Sequence, residues 1–425
     1  MPIMPRVMYL PPQLAEPPNS PLPYTASPWK LLWTDICLFF RCARYLPGII
    51  FPLTPWNSGC LDELYPSLRN IVSVTLQLVL SVCQLLFLLS LPILLVWMVP
   101  TLGVLVYMVT VLFLNKGICD LFLNRGDSVL VSSVPEKEAP EHQHEHWIFI
   151  NGVAVGHYWL QQSINRLGYT FGRKVTGVHN PTAGLIFDII QCLVQRNFCY
   201  ATQDVRHAYA HAKAALFNPQ YKKVILVVHS QGGIEGGLII DWLLDELPSE
   251  LLHKLEVYTF GNAANHFNNP SRAYSERHSD TQQEENAISH IEHYANSRDF
   301  VSTWGVLNFS NIPNRYMGQV FIRPGSGHQF NQHYMDTMFT SGSDHTVADS
   351  NDFMDMEVET ADCKVPRESA VPSKQVLVAQ NERSSSPDST DTSHLSVLVS
   401  ERQKRLKVKD LSRLWLYRNG GSPEV

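Results

Sequence analysis

Charge is scarce in this chain. Only 17% of its 425 residues are Asp, Glu, Lys or Arg and 45% are hydrophobic, against roughly 25% charged in an average soluble domain. A formal net charge of -6 supplies neither the basic field that nucleic acid requires nor an extreme acidity for cation buffering. No nucleic-acid partner is therefore expected. None of the eight cysteines forms a Cys-x-x-Cys pair, which removes zinc ribbons and thioredoxin-like motifs. Free, mostly buried thiols in a reducing compartment are expected instead. The opening residues, MPIMPRVMYLPPQLAEPP, are too proline-rich for the apolar segment of a signal peptide.

The longest gap in charge runs from Arg69 to Lys116. A single membrane span needs ~20 residues to cross a ~30 Å hydrocarbon core, and this run is about twice that. Two transmembrane helices over 71–115, turning at Pro92 or in the Pro100–Gly103 stretch, are the favoured reading, and a re-entrant hairpin is the alternative. In either arrangement both flanks return to one face of a lipid bilayer. Arg41, Arg44, Arg69, Lys116 and Arg125 on those flanks favour the cytosolic side, making the chain an integral membrane protein.

Around that run the composition changes in steps. Residues 1–28 hold nine prolines and are expected as a disordered arm without a core. Residues 29–70 begin with WKLLWTDICLFFRCARYL, read as an amphipathic helix lying on a membrane or on the protein. Residues 116–146 read as a linker. The alternating His142, His144 and His146 there have no fixed geometry for a metal. His207 and His211, four apart on one helix face, lack a third ligand and are expected to face solvent. No metal or other cofactor is expected.

From 147 to 340 short β-branched runs (WIFI, KVTGV, KKVILVV, LEVYTF, HIEHYAN, GQVFIR) alternate with segments of helical periodicity such as LIFDIIQCLVQRNF and DVRHAYAHAKAALF. That order predicts an α/β domain with a mostly parallel sheet and helices on both faces. Residues 341–400 are rich in Ser, Asp and Glu and read as a disordered tail. Residues 401–425 read as a basic amphipathic segment, suited to a membrane surface or to a solvated terminal helix.

Within the α/β region, KKVILVV runs into His229-Ser230-Gln231-Gly232-Gly233, and a helix follows at once. A strand–turn–helix of this kind lifts a serine Oγ above the sheet and points the helix N-terminus at developing negative charge. Val228 stands where a glycine is usual and crowds the turn. A nucleophilic serine needs a base and an acid that orients it. Asp299 follows the strand HIEHYAN, and His328 lies in the Gly-rich loop after GQVFIRP. His333, five residues on, is the second choice for the base. The backbone N–H of Gln231, with that of Gly152 or Val153 after the first core strand, is the expected oxyanion hole.

With Val-His-Ser-Gln-Gly, Thr259-Phe260-Gly261-Asn262 and Asn296-Ser297-Arg298-Asp299, residues 147–340 resemble a serine α/β-hydrolase of the lipase/esterase branch. The run GVHNPTAGLIFDIIQCLVQRNF, with the later FGNAANHF, is similar to membrane-attached hydrolase-like proteins of filamentous fungi. The resemblance implies the α/β-hydrolase fold, a Ser230–Asp299–His328 triad and ester hydrolysis without a metal. The expectation is a membrane-anchored enzyme acting on a lipid or other apolar ester. An acyltransferase on the same triad, or a non-catalytic membrane-tethered binding module favoured by Val228, are the alternatives.

Overall fold

β-Branched and aromatic residues suit a pleated, buried surface, and the strands form where they crowd between turn residues. The computed structural model describes residues 5–13, 27–135, 139–270, 286–342, 345–360 and 406–424. Among them lie strands β1 (Val7–Leu10), β2 (Val129–Val131), β3 (Glu145–Ile150), β4 (Val175–Val178), β5 (Lys223–His229), β6 (Leu255–Phe260), β7 (His290–Asn296), β8 (Gln319–Arg323) and β9 (Val358–Thr360). They form one sheet in the order β2-β4-β3-β5-β6-β7-β8-β1-β9. The run from β4 through β8 is parallel throughout; β2 and β1 pair antiparallel with β4 and β8, and β9 lies parallel to β1.

The longer helices are α1 (Pro28–Cys42), α2 (Leu68–Val96), α3 (Thr101–Phe122), α4 (His157–Phe171), α5 (Leu185–Phe198), α6 (Gln203–Phe217) and α7 (Gly232–Glu246). Strand β5 shows how the layers form. Val224, Leu226 and Val228 face one side, with Val205 and Ala212 of α6 and Leu238 of α7. Ile225 and Val227 face the other, with Leu160, Ile164 and Leu167 of α4. Every residue of β5 is buried, and each fully buried aliphatic side chain contributes ~1.5–3 kcal/mol. An α/β architecture with a mostly parallel sheet and helices on both faces is what the alternation predicts.

Helices α2 and α3 are long and apolar enough to cross a membrane by length and composition. Only 17% and 6% of their most apolar windows are buried within the protein, so neither is the core helix of the α/β body. They extend beyond 71–115 at both ends, because Ser67 caps α2 by accepting from the Asn70 N–H (3.2 Å) and α3 continues through Lys116.

Four boundary expectations change. Residues 7–10, expected within an unstructured arm, form a strand: VMYL is a proline-free stretch, and Tyr9 Oη donates to Gln319 Oε1 (2.9 Å) on β8. Residues 116–146 are no plain linker, since they hold the end of α3, all of β2 and a buried His142. Residues 345–360, assigned to a disordered tail, bury Val347, Phe353 and Met354 and end in β9; the rest of that tail, 361–400, lies outside the described residues. The C-terminal basic segment packs onto the sheet rather than lying free. Arg413 donates to Glu256 Oε1 (3.0 and 2.9 Å), its N–H to Glu292 Oε1 (2.6 Å), and Leu414, Trp415 and Tyr417 are buried. Its Arg413 answers two buried strand carboxylates, Glu256 with the guanidinium and Glu292 with the backbone N–H, which no local pattern reveals.

Helix α1 lies on the protein with one face. Asp35, Leu38 and Cys42 are its buried residues, spaced as one helical stripe. Arg196 Nε donates to Asp35 Oδ2 (2.8 Å), its Nη2 pairs with Asp35 Oδ1, and Asn197 Nδ2 adds a third bond (2.7 Å). Arg196 also lies 3.8 Å over the Trp304 ring. His207 and His211 are both exposed on α6, as expected.

Candidate active site

The turn after β5 places Ser230 in the left-handed region, φ +59°, sparsely populated for a residue with a Cβ and worth ~1–3 kcal/mol of strain. Neighbours hold it there. The Ser230 N–H donates to Phe260 O (3.0 Å), and its carbonyl accepts from the Gly233 and Ala263 N–H groups (3.0 and 3.1 Å). Helix α7 starts two residues later. Val228 does not crowd this turn, because Gly236 on α7 faces it: a Cβ there would stand 3.2 Å from Val228 Cγ1. The small residue usual on the strand is supplied from the helix.

Ser230, Asp299 and His328 come together. His328 Nε2 lies 2.9 Å from Ser230 Oγ and its Nδ1 lies 2.8 Å from Asp299 Oδ2. A carboxylate at Nδ1 fixes the tautomer with the proton on that nitrogen, leaving Nε2 to accept from the serine hydroxyl. Asp299 is fully buried and also accepts from Tyr334 Oη (2.7 Å), Ser302 Oγ (2.9 Å) and the Val301 N–H (2.9 Å). Burial opposes ionisation of its carboxyl, but the His328 imidazole, followed by the His328, Tyr334 and Ser302 hydrogen bonds, outweighs it and holds the pKa below the usual value.

His333 is committed elsewhere. Its Nε2 faces the Pro52 carbonyl at 2.7 Å, which can only accept, so that nitrogen carries the proton; Nδ1 accepts from the Gln329 N–H at 2.9 Å. Neither nitrogen is free to take a proton from Ser230. Burial pushes its pKa down to about 4. In the unfolded chain the imidazole titrates near 6.5, so its stabilisation is complete above that pH and is lost as pH falls from 6.5 toward 4. Glu63, pushed up to about 7 by burial, acts with the opposite sign, so the effect is best read by difference. In His333→Gln, whose amide can still donate to Pro52, the gap in thermal midpoint between pH 7 and pH 5 should narrow by the equivalent of ~2 kcal/mol. An unchanged gap would mean that His333 is not held neutral.

One of the expected oxyanion donors, Gly152, lies beside the serine. Gly152 follows β3 and lies against Ser230: a side chain there would meet Ser230 Oγ at 2.9 Å. Gln231 is the first residue after Ser230, at the α7 N-terminus. Among the described residues, the backbone N–H groups of Gly152, Val153 and Gln231 have no internal acceptor. Asn151 holds this loop by accepting from the Asn180 N–H (2.9 Å) and donating to its carbonyl (3.0 Å). The Gln231 side chain is tied to Asn180 Nδ2 (2.9 Å) and Gln195 Oε1 (2.8 Å).

Several contributors carry no sequence signal. Tyr334 and Ser302 reach Asp299 from two different elements, and only the fold unites them. His229, immediately before Ser230, donates from Nε2 to the His328 carbonyl (2.8 Å), and burial keeps it neutral with a pKa of about 3. It therefore positions the His328 loop. Ser230 and His328 are 2% and 5% exposed, so both are covered in this structure. A cleft of about 210 Å³ between α1 and residues 303–308 includes no member of the triad. No group of three His, Cys, Asp or Glu suited to a metal occurs among the described residues. Compared with known proteins, the chain matches no family model, and no curated protein matches it.

Proposed function

We propose that the chain is a membrane-anchored serine hydrolase with the α/β-hydrolase fold, lipase/esterase-like, acting on a lipid or other apolar ester. The observation that carries this reading is the relay from Ser230 Oγ to His328 Nε2 (2.9 Å) and from His328 Nδ1 to Asp299 Oδ2 (2.8 Å). It begins at a serine held in a strained turn, as a nucleophile elbow requires.

In this mechanism Ser230 Oγ attacks the ester carbonyl carbon while His328 Nε2 takes its proton. The tetrahedral oxyanion accepts hydrogen bonds from the N–H groups of Gln231 and of Gly152 or Val153. Asp299 holds the imidazolium by charge and orientation without itself taking the proton. Collapse breaks the ester C–O bond, and the alkoxide leaves with the proton from His328. Water, deprotonated by the same imidazole, then attacks the acyl-enzyme and releases the acid. An alcohol in place of that water makes the same site an acyltransferase. The chain's own apolar helices hold the body at lipid, on the side where its basic flanking residues lie.

The test is labelling of the membrane fraction with a fluorophosphonate probe. Wild type should be labelled on Ser230 and Ser230→Ala should not. A folded wild type that stays unlabelled in detergent micelles and in lipid, with the probe small enough to reach the site, would sink the enzymatic reading and leave the binding module.

A further inference from the structure

Helix α2 spends much of its length against the α/β body. Its buried residues, Asn70, Gln77, Leu80, Gln84 and Phe87, form one helical stripe. The polar ones are bonded to the body: Gln77 Nε2 to Ala154 O (3.0 Å), Gln84 Nε2 to Ala183 O (2.7 Å) and, from α3, Asn115 Nδ2 to the same carbonyl (2.8 Å). Phe87 meets Phe187 of α5 edge-on at 6.2 Å. Beyond these contacts the free arms are residues 88–96 of α2 and 101–114 of α3. At 1.5 Å per residue they rise about 14 and 21 Å, enough for one leaflet and short of a ~30 Å hydrocarbon core.

The exposed side of the packed part of α2 is apolar too, as at Ile71, Val79 and Leu86. That surface continues sideways. Helix α5 lies between α2 and α1 and exposes Ile190, Val194 and Phe198, the last meeting Trp29 at 5.3 Å. Helix α1 turns outward the face opposite its Asp35 stripe, with Trp29 72%, Trp33 68% and Phe40 71% exposed. The chain after it exposes Ile50, Phe51, Leu53 and Trp56. Over residues 28–56 the only carboxylate is the buried, paired Asp35, while Lys30, Arg41 and Arg44 are exposed. Tryptophan beside basic residues on an apolar face matches the headgroup boundary of an anionic leaflet.

We propose that the protein is monotopic: the outer sides of α2, α3, α5, α1 and residues 46–56 form one surface seated in a single leaflet, and the hairpin is re-entrant. The surface borders the triad. Gly48 O accepts from the Gly327 N–H (2.9 Å), Ile49 O from Gln329 Nε2 (3.2 Å) and Pro52 O from His333. The lipid-facing segment is thus bonded to the loop that carries His328, and an ester dissolved in that leaflet lies beside the cover of the site. This part rests on the hydrolase reading; the docking itself does not.

The experiment is bromolipid quenching of the full-length protein in nanodiscs of phosphatidylcholine and phosphatidylserine. A Trp29→Phe/Trp33→Phe variant keeps the surface apolar. It should lose roughly half of the lipid-quenched tryptophan emission, the remainder coming from Trp56 and Trp97. The lost part should respond more to bromines near the headgroup than to bromines near the chain ends. The emission lost in Trp97→Phe, at the hairpin turn, should show the reverse preference. If Trp97 is quenched only near a headgroup, the hairpin crosses and the monotopic arrangement is overturned. If Trp29 and Trp33 contribute nothing to the quenched part, the docking surface is overturned, whatever the enzymatic activity. Quenching of none of these residues would remove the membrane reading itself.

Discussion

Replacing His328 by glutamine is expected to lower kcat for an apolar ester by about 10⁴-fold or more, with little change in KM, whereas His333→Gln should leave kcat within a few-fold of wild type. The difference follows from what each imidazole faces. His328 touches both Ser230 Oγ and Asp299 Oδ2, so its loss removes the only side chain among the described residues placed to take the serine proton, and knocking out one member of such a unit costs nearly as much as losing all of it. His333 faces a carbonyl and a backbone N–H and acts only on the position of the 49–53 segment. Activity and fluorophosphonate labelling should fall together in the first variant, with the thermal midpoint close to wild type. Equal losses in the two variants would show that the relay is not the working one.

The largest stability effect should come from Arg196→Leu. Asp35 is buried, and the Arg196 side chain is its main charge partner. Removing the guanidinium leaves that carboxylate uncompensated, at a cost of about 3–5 kcal/mol. For a body of this size this is a fall of roughly 10 °C in thermal midpoint. The double variant Asp35→Leu/Arg196→Leu should regain most of it, because an apolar pair of similar volume carries no desolvation penalty. Recovery in the double variant identifies the buried charge as the cause; equal losses in both would assign the effect to packing around Trp304. Arg196 Nη1 also donates to the Ala263 carbonyl (2.6 Å), and the Ala263 N–H reaches Ser230 O. The single variant should therefore lose activity before it unfolds.

What was legible in the sequence is what is local. The β-branched run KKVILVV, the abrupt helix after Gly232, and the positions of Asp299 and His328 just past strand ends are short-range patterns, and the folded chain brings these residues together. The choice between His328 and His333 was open, because five residues of sequence do not say which ring nitrogen faces a carbonyl. Val228 read as a defect since its counterpart, Gly236, sits a full helical segment away. The strands β1 and β9 were invisible for a related reason: a short edge segment becomes a strand only when its partner exists, and the partners lie hundreds of residues apart. The basic C-terminal segment carried a true amphipathic pattern, but the pattern does not name the surface it faces, and Glu256 and Glu292 decided it.

The pairing of Tyr9 with Gln319, separated by 310 positions, and the seating of residues 408–424 on strands made long before them, bear on the order of assembly. During synthesis the apolar hairpin leaves the ribosome well ahead of β3, and β3 well ahead of the segment that supplies Tyr417 against Trp147. The sheet face that carries Trp147 and Tyr258 stays uncovered until that late segment arrives. The α/β body is therefore completed only after the apolar hairpin has been made, and the Ser230 turn and the Asp299 and His328 loops come together late in synthesis. Ribosome-bound intermediates that still lack His328 would carry Ser230 without its hydrogen-bond partner, which lies 98 positions further on.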